Sequence, residues 1–342
     1  ISEFHRLNEV LAAVSSGERV ARLGPVPEIF VEKGPRYLTT PPGLAYLKIA
    51  EGCDNRCSYC TIPFIRGNLR SRPLREIVDE ATLLVKKGIK ELVVIAQDTS
   101  AYGKDLYGTP QLADLLHQLG KIEQLEWIRV MYLHPAHIDD TLIETIAMEE
   151  KVVPYLDIPI QHAANLVLKK MNRRHSLDSL QATINKLRAN IEGLVLRTTV
   201  MVGFPGETED DFQQLYNFIK ATDFDWLGAF TFIPEEGTAA ISMADQVPDE
   251  VKEQRKDNIL KIQNNITRQK NIDRIGKQYK ILVSSQISNN LYIGRGYFQA
   301  PEVDGVTLVK SNIRIAKGEF VDSVMKAVRN YDMIGEIANE YS

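Results

Sequence analysis

Cys53, Cys57 and Cys60 are the only three cysteines of the 342-residue chain, and all fall in the stretch Ala50-Glu-Gly-Cys-Asp-Asn-Arg-Cys-Ser-Tyr-Cys-Thr61. Three thiolates so close in sequence can close on one metal centre. A cubane iron-sulfur cluster held by three cysteines keeps one iron free for a small-molecule ligand. A zinc knuckle asks instead for a fourth Cys or His at short spacing, and the nearest downstream histidine is His117. Three unconnected buried thiols are a third reading, but burial alone gives no reason to gather every cysteine into one Gly- and Asn-containing loop. The pattern favours the cluster, with zinc as the alternative.

Such a loop needs a scaffold, and the hydrophobic pattern supplies one. From Leu44 to about Gly276 short apolar runs alternate with longer amphipathic ones, which predicts repeated βα units around a parallel sheet. Strands are expected at Ala45 to Ile49, Glu91 to Ala96, Trp127 to Tyr132, Val153 to Ile158, Val195 to Val202 and Trp226 to Phe232. Helices are expected at Leu74 to Lys87, Gln111 to Leu119, Asp139 to Met148, Leu177 to Asn190 and Glu209 to Thr222, with a long charged helix from Asp249 to about Arg274. Gly88 stands at a C-cap position, and Asp139 and Thr208 at N-cap positions. Six units are too few for a closed eight-stranded barrel, so the expected fold class is α/β, a partial (β/α)6 TIM-like barrel over residues 41–275 with its site at the carboxyl ends of the strands. The cysteine loop, Gln97-Asp98-Thr99, Gln161-His162 and Gly203-Phe-Pro-Gly-Glu207 follow strands one, two, four and five, all at that end.

After Gly276 the pattern turns to short β runs: Tyr279 to Ser284, Tyr292 to Tyr297, Val306 to Lys310, Phe320 to Tyr331 and Ile334 to Ala338. Gly294, Gly296, Asp304-Gly305 and Gly318 are natural turn or bulge positions. A small five-stranded OB-like β-barrel is expected over 276–342. The segment 1–40, with one amphipathic stretch from Leu7 to Val14 and no initiating Met, reads as a linker or the remnant of an upstream domain.

A hydrophobic content of 44 % is ample for a globular core, and the length suits two or three domains. The longest apolar runs, such as Leu92 to Ala96, are far short of a membrane span, and nothing at the start reads as a signal peptide. Cysteines kept as thiolate ligands imply a reducing compartment, so a soluble, cytoplasmic protein with no membrane partner is expected. A net charge of -4 argues against wholesale electrostatic binding to nucleic acid, while leaving room for a local basic patch.

The cysteine spacing, with an aromatic residue before the last cysteine, resembles the cluster loop of the radical S-adenosylmethionine (SAM) enzymes. From about Pro41 to the end the chain resembles the methylthiotransferase family among them. That resemblance rests also on Pro63-Phe-Ile-Arg-Gly67, Arg70-Ser-Arg-Pro73, Gln97-Asp-Thr-Ser-Ala-Tyr-Gly103, Met131-Tyr-Leu-His-Pro135, Leu156-Asp-Ile-Pro-Ile-Gln-His162, Lys170-Met-Asn-Arg173 and Gly203-Phe-Pro-Gly-Glu-Thr208. Gly294-Arg-Gly-Tyr297 and Pro301-Glu-Val-Asp-Gly305 resemble the family's terminal TRAM domain. Ala96-Gln-Asp-Thr99 and Pro159-Ile-Gln-His162 favour the branch that methylthiolates an aspartate of small-subunit ribosomal protein S twelve. The sister branch, which modifies an adenosine in tRNA, tends to read Gly-Gln-Asn-Val and Pro-Val-Gln-Ser-Gly there. Eight Lys and Arg against seven Asp and Glu from Lys277 to Ser342 suit a basic ribosomal protein at least as well as tRNA phosphates.

The resemblance implies a 4Fe-4S cluster on Cys53, Cys57 and Cys60, with the amino and carboxylate groups of SAM on its open iron. It implies Gln97 and Asp98 near the methionine amino group and the loop with Gly203, Gly206 and Glu207 near the adenosine; Tyr59 packs against cluster and cofactor or wedges into the core, and Phe232 with Ile233 cover the adenine or belong to the core. His162 would orient substrate or relay a proton. Arg66, Arg70, Arg72 and Arg75 form either a carboxylate clamp or a solvated face paired with helix carboxylates; His134 and His137 lack a third metal ligand nearby. Implied partners are ribosomal protein S twelve of the 30S subunit, an electron donor such as flavodoxin or ferredoxin, and RNA through the terminal barrel. Full-length members carry three further cysteines in an amino-terminal domain, which hold a second 4Fe-4S cluster. This chain has none of them, so it is expected to bind one cluster and cleave SAM without completing methylthiolation.

Overall fold

The computed structural model describes residues 6–21, 24–25 and 36–338; part of the expected linker over 1–40 lies outside them. Six parallel strands, β1 (Leu44–Lys48), β2 (Glu91–Ile95), β3 (Trp127–Val130), β4 (Val152–Asp157), β5 (Val195–Val202) and β6 (Trp226–Thr231), pair in chain order without closing on one another. Helices α1 (Leu74–Lys86), α2 (Leu112–Gly120), α3 (Asp140–Met148), α4 (Leu177–Asn190) and α5 (Glu209–Thr222) return the chain between strands, and α6 (Asp249–Ile272) lies against β6. This is the expected open (β/α)6 arrangement. The strands read as nearly continuous apolar runs because both faces are covered: Leu92 and Val94 pack outward with Leu84, Leu115 and Leu116 of the helices, whereas Val93 belongs to the core inside the sheet.

Local chemistry sets the helix starts. Asp139 accepts a hydrogen bond from the Leu142 backbone N–H, and Thr208 forms a reciprocal capping box with Asp211. Two features escaped the periodicity. Residue pairs Ala50–Glu51 and Arg70–Ser71 form a short antiparallel ladder around the cysteine loop, and helices Ile62–Arg66, Lys104–Tyr107 and Asn165–Lys170 are too short to show a helical period. The upstream helix Leu7–Ser15 buries none of its residues.

Strands β7 (Gln278–Ser288), β8 (Leu291–Gly296), β9 (Thr307–Lys310), β10 (Phe320–Arg329) and β11 (Asp332–Ile337) close a barrel in the order β8-β9-β11-β10-β7. The register of β7 against β8 slips between Ile293 and Gly294. A Cβ at Gly294 would stand 2.6 Å from Ile281 Cγ2, so the bulge requires glycine.

This barrel plugs the open sheet from below. Glu91 at the foot of β2 is fully buried and accepts from Arg129 Nε at 2.8 Å and Arg295 Nη2 at 2.7 Å. Arg129 donates onward to the Tyr297 carbonyl, and Trp226 Nε1 donates to the Phe298 carbonyl, both at 2.7 Å. The contacts sit at the amino ends of the strands, leaving the carboxyl ends for the candidate site. Among the described residues no helix is long and apolar enough to cross a membrane.

Candidate active site

Gly52, with φ +78°, turns the chain out of the sheet into the cysteine loop. The loop is tied back by Cys53 N–H to the Gly67 carbonyl at 3.1 Å and by Leu69 N–H to Asp54 Oδ1 at 3.0 Å. Its outer arc is clasped by the Lys170-Met-Asn-Arg173 turn: Ser58 N–H donates to the Met171 carbonyl at 3.1 Å, Ser58 Oγ to the Lys170 carbonyl at 2.8 Å, and Asn172 Nδ2 to the Arg56 carbonyl at 2.8 Å. Arg56 and Asn172 both take left-handed backbone to make this meeting.

Cys53, Cys57 and Cys60 are free and half-buried. Burial pushes the Cys53 thiol up to about 11 and raises that of Cys60. Asn55 Nδ2 reaches Cys53 Sγ at 3.4 Å, and Arg173 Nη1 reaches Cys57 Sγ at 3.8 Å. Among the described residues no three His, Cys, Asp or Glu side chains converge as the ligands of a single metal ion. A cubane asks for something different, because each of its three cysteines holds a different iron and the sulfurs stand apart. Three half-buried thiols on one braced loop, two of them facing nitrogen donors, fit that group.

Beside the loop, Gln97 is half-buried and its Oε1, shielded from solvent, has no hydrogen-bond partner. Asp98 is buried and committed: its carboxylate accepts from Asn55 Nδ2 at 2.7 Å and Ser100 Oγ at 2.6 Å, and His137 Nδ1 lies 2.8 Å away. Burial alone would raise this carboxyl, but the bonds from His137 and Ser100 outweigh it and hold it down at about 2. Burial drives the neighbouring His134 imidazole down to about 2, with the Arg173 charge acting the same way. His134 Nδ1 accepts from the Ala136 N–H.

Across the mouth, Gly203 and Gly206 take φ +72° and +74°. A Cβ on Gly203 would meet Lys252 Cγ at 2.2 Å, and one on Gly206 would meet Lys170 Nζ at 2.0 Å. Glu207 folds its carboxylate back under this loop, accepting from Gly203 N–H at 2.6 Å and Phe204 N–H at 3.2 Å, and pairs with Arg255 at 2.8 Å. Gln161-His162 follows β4 at a short distance: the strand stops at Asp157, and Gln161 makes an isolated bridge to Val200. The ring of His162 is wholly buried, with Nδ1 accepting from Ala164 N–H and Nε2 lying 3.6 Å from Glu207 Oε2. Phe232 is also core, packed edge-on to Phe204 at 5.3 Å, whereas Ile233 is exposed; Tyr59 meets Phe204 at 6.4 Å in the same cluster.

Of the basic run, Arg66 pairs with Glu51, Arg70 donates to the carbonyls of Arg66 and Asn68, Arg72 pairs with Glu80 on α1, and exposed Arg75 stands 4.0 Å from Asp79. Arg70 and Arg72 are buried, so the run braces the loop and the first helix from within and does not form a solvated face. Sequence reasoning passed over Asn55 and Arg173 as site residues, although the Lys170-Met-Asn-Arg173 motif drew attention to the second.

Comparison with known proteins agrees with this architecture. Residues 47–219 match the Radical SAM superfamily, and residues 275–338 match the TRAM domain. A protein of Syntrophomonas wolfei named ribosomal protein uS12 methylthiotransferase RimO is 57% identical over 336 residues, 98% of this chain and 76% of that protein. Proteins of the same name are 44% identical in Clostridioides difficile, over 98% of this chain and 76% of the relative, and 46% identical in Aquifex aeolicus, over 88% and 70%. The chain belongs to the radical SAM superfamily and, within it, to the ribosomal protein uS12 methylthiotransferase RimO family.

Proposed function

We propose that this chain carries the SAM-cleaving core of a transferase that adds a methylthio group to the β-carbon of an aspartate in ribosomal protein uS12. The observation that carries the reading is 57% identity to a relative of that name across 98% of the chain, together with a three-cysteine loop at the carboxyl ends of a parallel sheet. When bound, a 4Fe-4S cluster and SAM supply reductive cleavage of the sulfonium and hydrogen abstraction by the resulting 5′-deoxyadenosyl radical.

The protein's part is position and exclusion of water. Cys53, Cys57 and Cys60 hold the cluster. Gln97, whose shielded oxygen lacks a partner, accepts from the amino group of SAM, and Asp98 serves by anchoring Asn55 beside Cys53. Gly203 and Gly206 allow the left-handed turn of this loop and make room for Lys252 and Lys170, which sets the course of the main chain beside the adenosine. Glu207 shapes that loop, and His162, buried behind it, acts through Glu207. Tyr59 and Phe232 wall the apolar side, and the terminal barrel closes the foot of the sheet.

The three cysteines supply ligands for one cluster, and the chain spans 76% of the relative it matches; completing the transfer would call for a second 4Fe-4S cluster with ligands beyond these three. A flavodoxin or ferredoxin would deliver the electron, the TRAM domain would touch ribosomal RNA near the substrate, and thiolate ligation suits the cytoplasm. The test is mass spectrometry of uS12 and of tRNA after the full-length gene is expressed in a host lacking both methylthiotransferases. A gain of one methylthio group on uS12 is expected; a gain on tRNA with none on uS12 contradicts the reading.

A further inference from the structure

Two side chains, one from within the cysteine loop and one remote in sequence, converge on two of the three cysteine sulfurs. Arg173 stands 116 positions beyond Cys57, yet its Nη1 lies 3.8 Å from Cys57 Sγ. The same guanidinium is tethered by Nη2 to the Pro159 carbonyl at 2.5 Å, and the turn that carries it is bonded to the cysteine loop at Arg56 and Ser58. Asn55 divides its amide group between Cys53 Sγ at 3.4 Å and Asp98 Oδ2 at 2.7 Å. Asp98 is itself held by Ser100 and His137. Both donors are therefore fixed before any ligand arrives.

We propose that Arg173 and Asn55 are positioning residues that set the reduction potential of the cluster by donating to the Cys57 and Cys53 thiolates. This rests on the proposed function, since it needs a cluster on those sulfurs. Reduction adds an electron to an already anionic group. Hydrogen bonds to its sulfurs and a cation alongside favour the reduced form, and such contacts are among the main levers on iron-sulfur potentials. Removing either donor should make the cluster harder to reduce. Arg173 should matter more, because it brings a full charge.

The experiment compares anaerobically reconstituted wild-type protein with Arg173→Met, Arg173→Lys and Asn55→Ala, using redox titration followed by electron paramagnetic resonance. Iron content and the circular dichroism melt of each variant accompany it. At the wild-type midpoint, Arg173→Met should lower the ratio of reduced to oxidised cluster at least tenfold, equivalent to about 59 mV for a one-electron couple. Arg173→Lys should recover part of this, and Asn55→Ala should lower the ratio several-fold. A merely structural role would alter melting and iron content while leaving the midpoint in place. Loaded Arg173→Met with a ratio within twofold of wild type overturns the inference. If Arg173→Met takes up no cluster, Asn55→Ala decides, and an unshifted midpoint there overturns it equally. A wild-type chain that shows no cluster signal overturns the proposed function, and this inference with it.

Discussion

Adding one methyl group to the backbone at Gly52 should abolish most cluster binding without touching a sulfur. Gly52 has φ +78°, and a Cβ there would lie 2.0 Å from the Asn68 oxygen and 2.7 Å from both the Asn68 carbonyl carbon and the Gly67 oxygen. All three obstacles are main chain. Left-handed backbone at a non-glycine residue costs about 1–2 kcal/mol. Relieving the overlap to even 3.0 Å requires about 1 Å of movement between the two sides of the loop. Those sides are joined by the Cys53 N–H to Gly67 carbonyl bond, whose loss adds about 1 kcal/mol. A local cost of about 2–3 kcal/mol thus falls at the root of the cysteine loop, where displacements well under 1 Å already matter to ligand geometry. Gly88→Ala is the control: its φ is +93°, but nothing lies within 4 Å of the added atom, so it incurs the backbone term alone. After anaerobic reconstitution, iron per chain should match wild type in Gly88→Ala and fall by more than half in Gly52→Ala, with native circular dichroism in both. Wild-type iron in Gly52→Ala would refute the claim that this braced loop holds the cluster.

Further predictions follow from buried charges and thiols. Glu91→Gln leaves Arg129 and Arg295 at the sheet–barrel interface without their carboxylate, a change that costs about 3–5 kcal/mol. Trp127 and Trp226 both belong to the apolar core that spans this junction, so tryptophan fluorescence in urea reads it, and an unchanged midpoint refutes the assignment. Asp304 is raised to about 6, chiefly by burial, despite its bond from Tyr155. Its unfolded carboxyl ionises near 3.9, so the fold keeps a proton that the unfolded chain loses, and stability falls as pH rises from about 4 to about 6, by at most about 3 kcal/mol. Asp304→Asn should remove that fall from the pH profile of the melting temperature; identical profiles would count against it. Burial holds the Cys53 thiol at about 11 in the metal-free chain, and ligating iron needs thiolates. Ferrous iron taken up by the apo chain under anaerobic conditions without chelator should therefore be greater at pH 9 than at pH 7, and lower uptake at pH 9 refutes the sign.

The parallel sheet was legible because each strand is a short apolar run set between amphipathic helices, and caps at Asp139 and Thr208 mark the helix starts. The cysteine loop was legible from spacing alone. Its supports were not: Asn55 meets Asp98 across 43 positions and Arg173 meets Cys57 across 116, and no local period encodes such meetings. Glu91 and Arg129 looked like ordinary strand residues, since only the docked barrel turns them into a buried ion network. Polar residues in the glycine-loop motif were legible as a group but not in their division of labour. Glu207 bonds the loop's own amides, and His162 backs it from the interior rather than facing the mouth.

The central claim is that Cys53, Cys57 and Cys60 jointly hold one 4Fe-4S cluster that cleaves SAM. The most direct measurement is iron, acid-labile sulfide and 5′-deoxyadenosine from the same anaerobically reconstituted, reduced sample, in wild type and in Cys53→Ala. About four irons per chain, matching sulfide and 5′-deoxyadenosine formation are predicted for wild type, with both the cluster and its product lost in Cys53→Ala. A single zinc in place of iron, an iron content near eight, or undiminished product from Cys53→Ala would contradict the account.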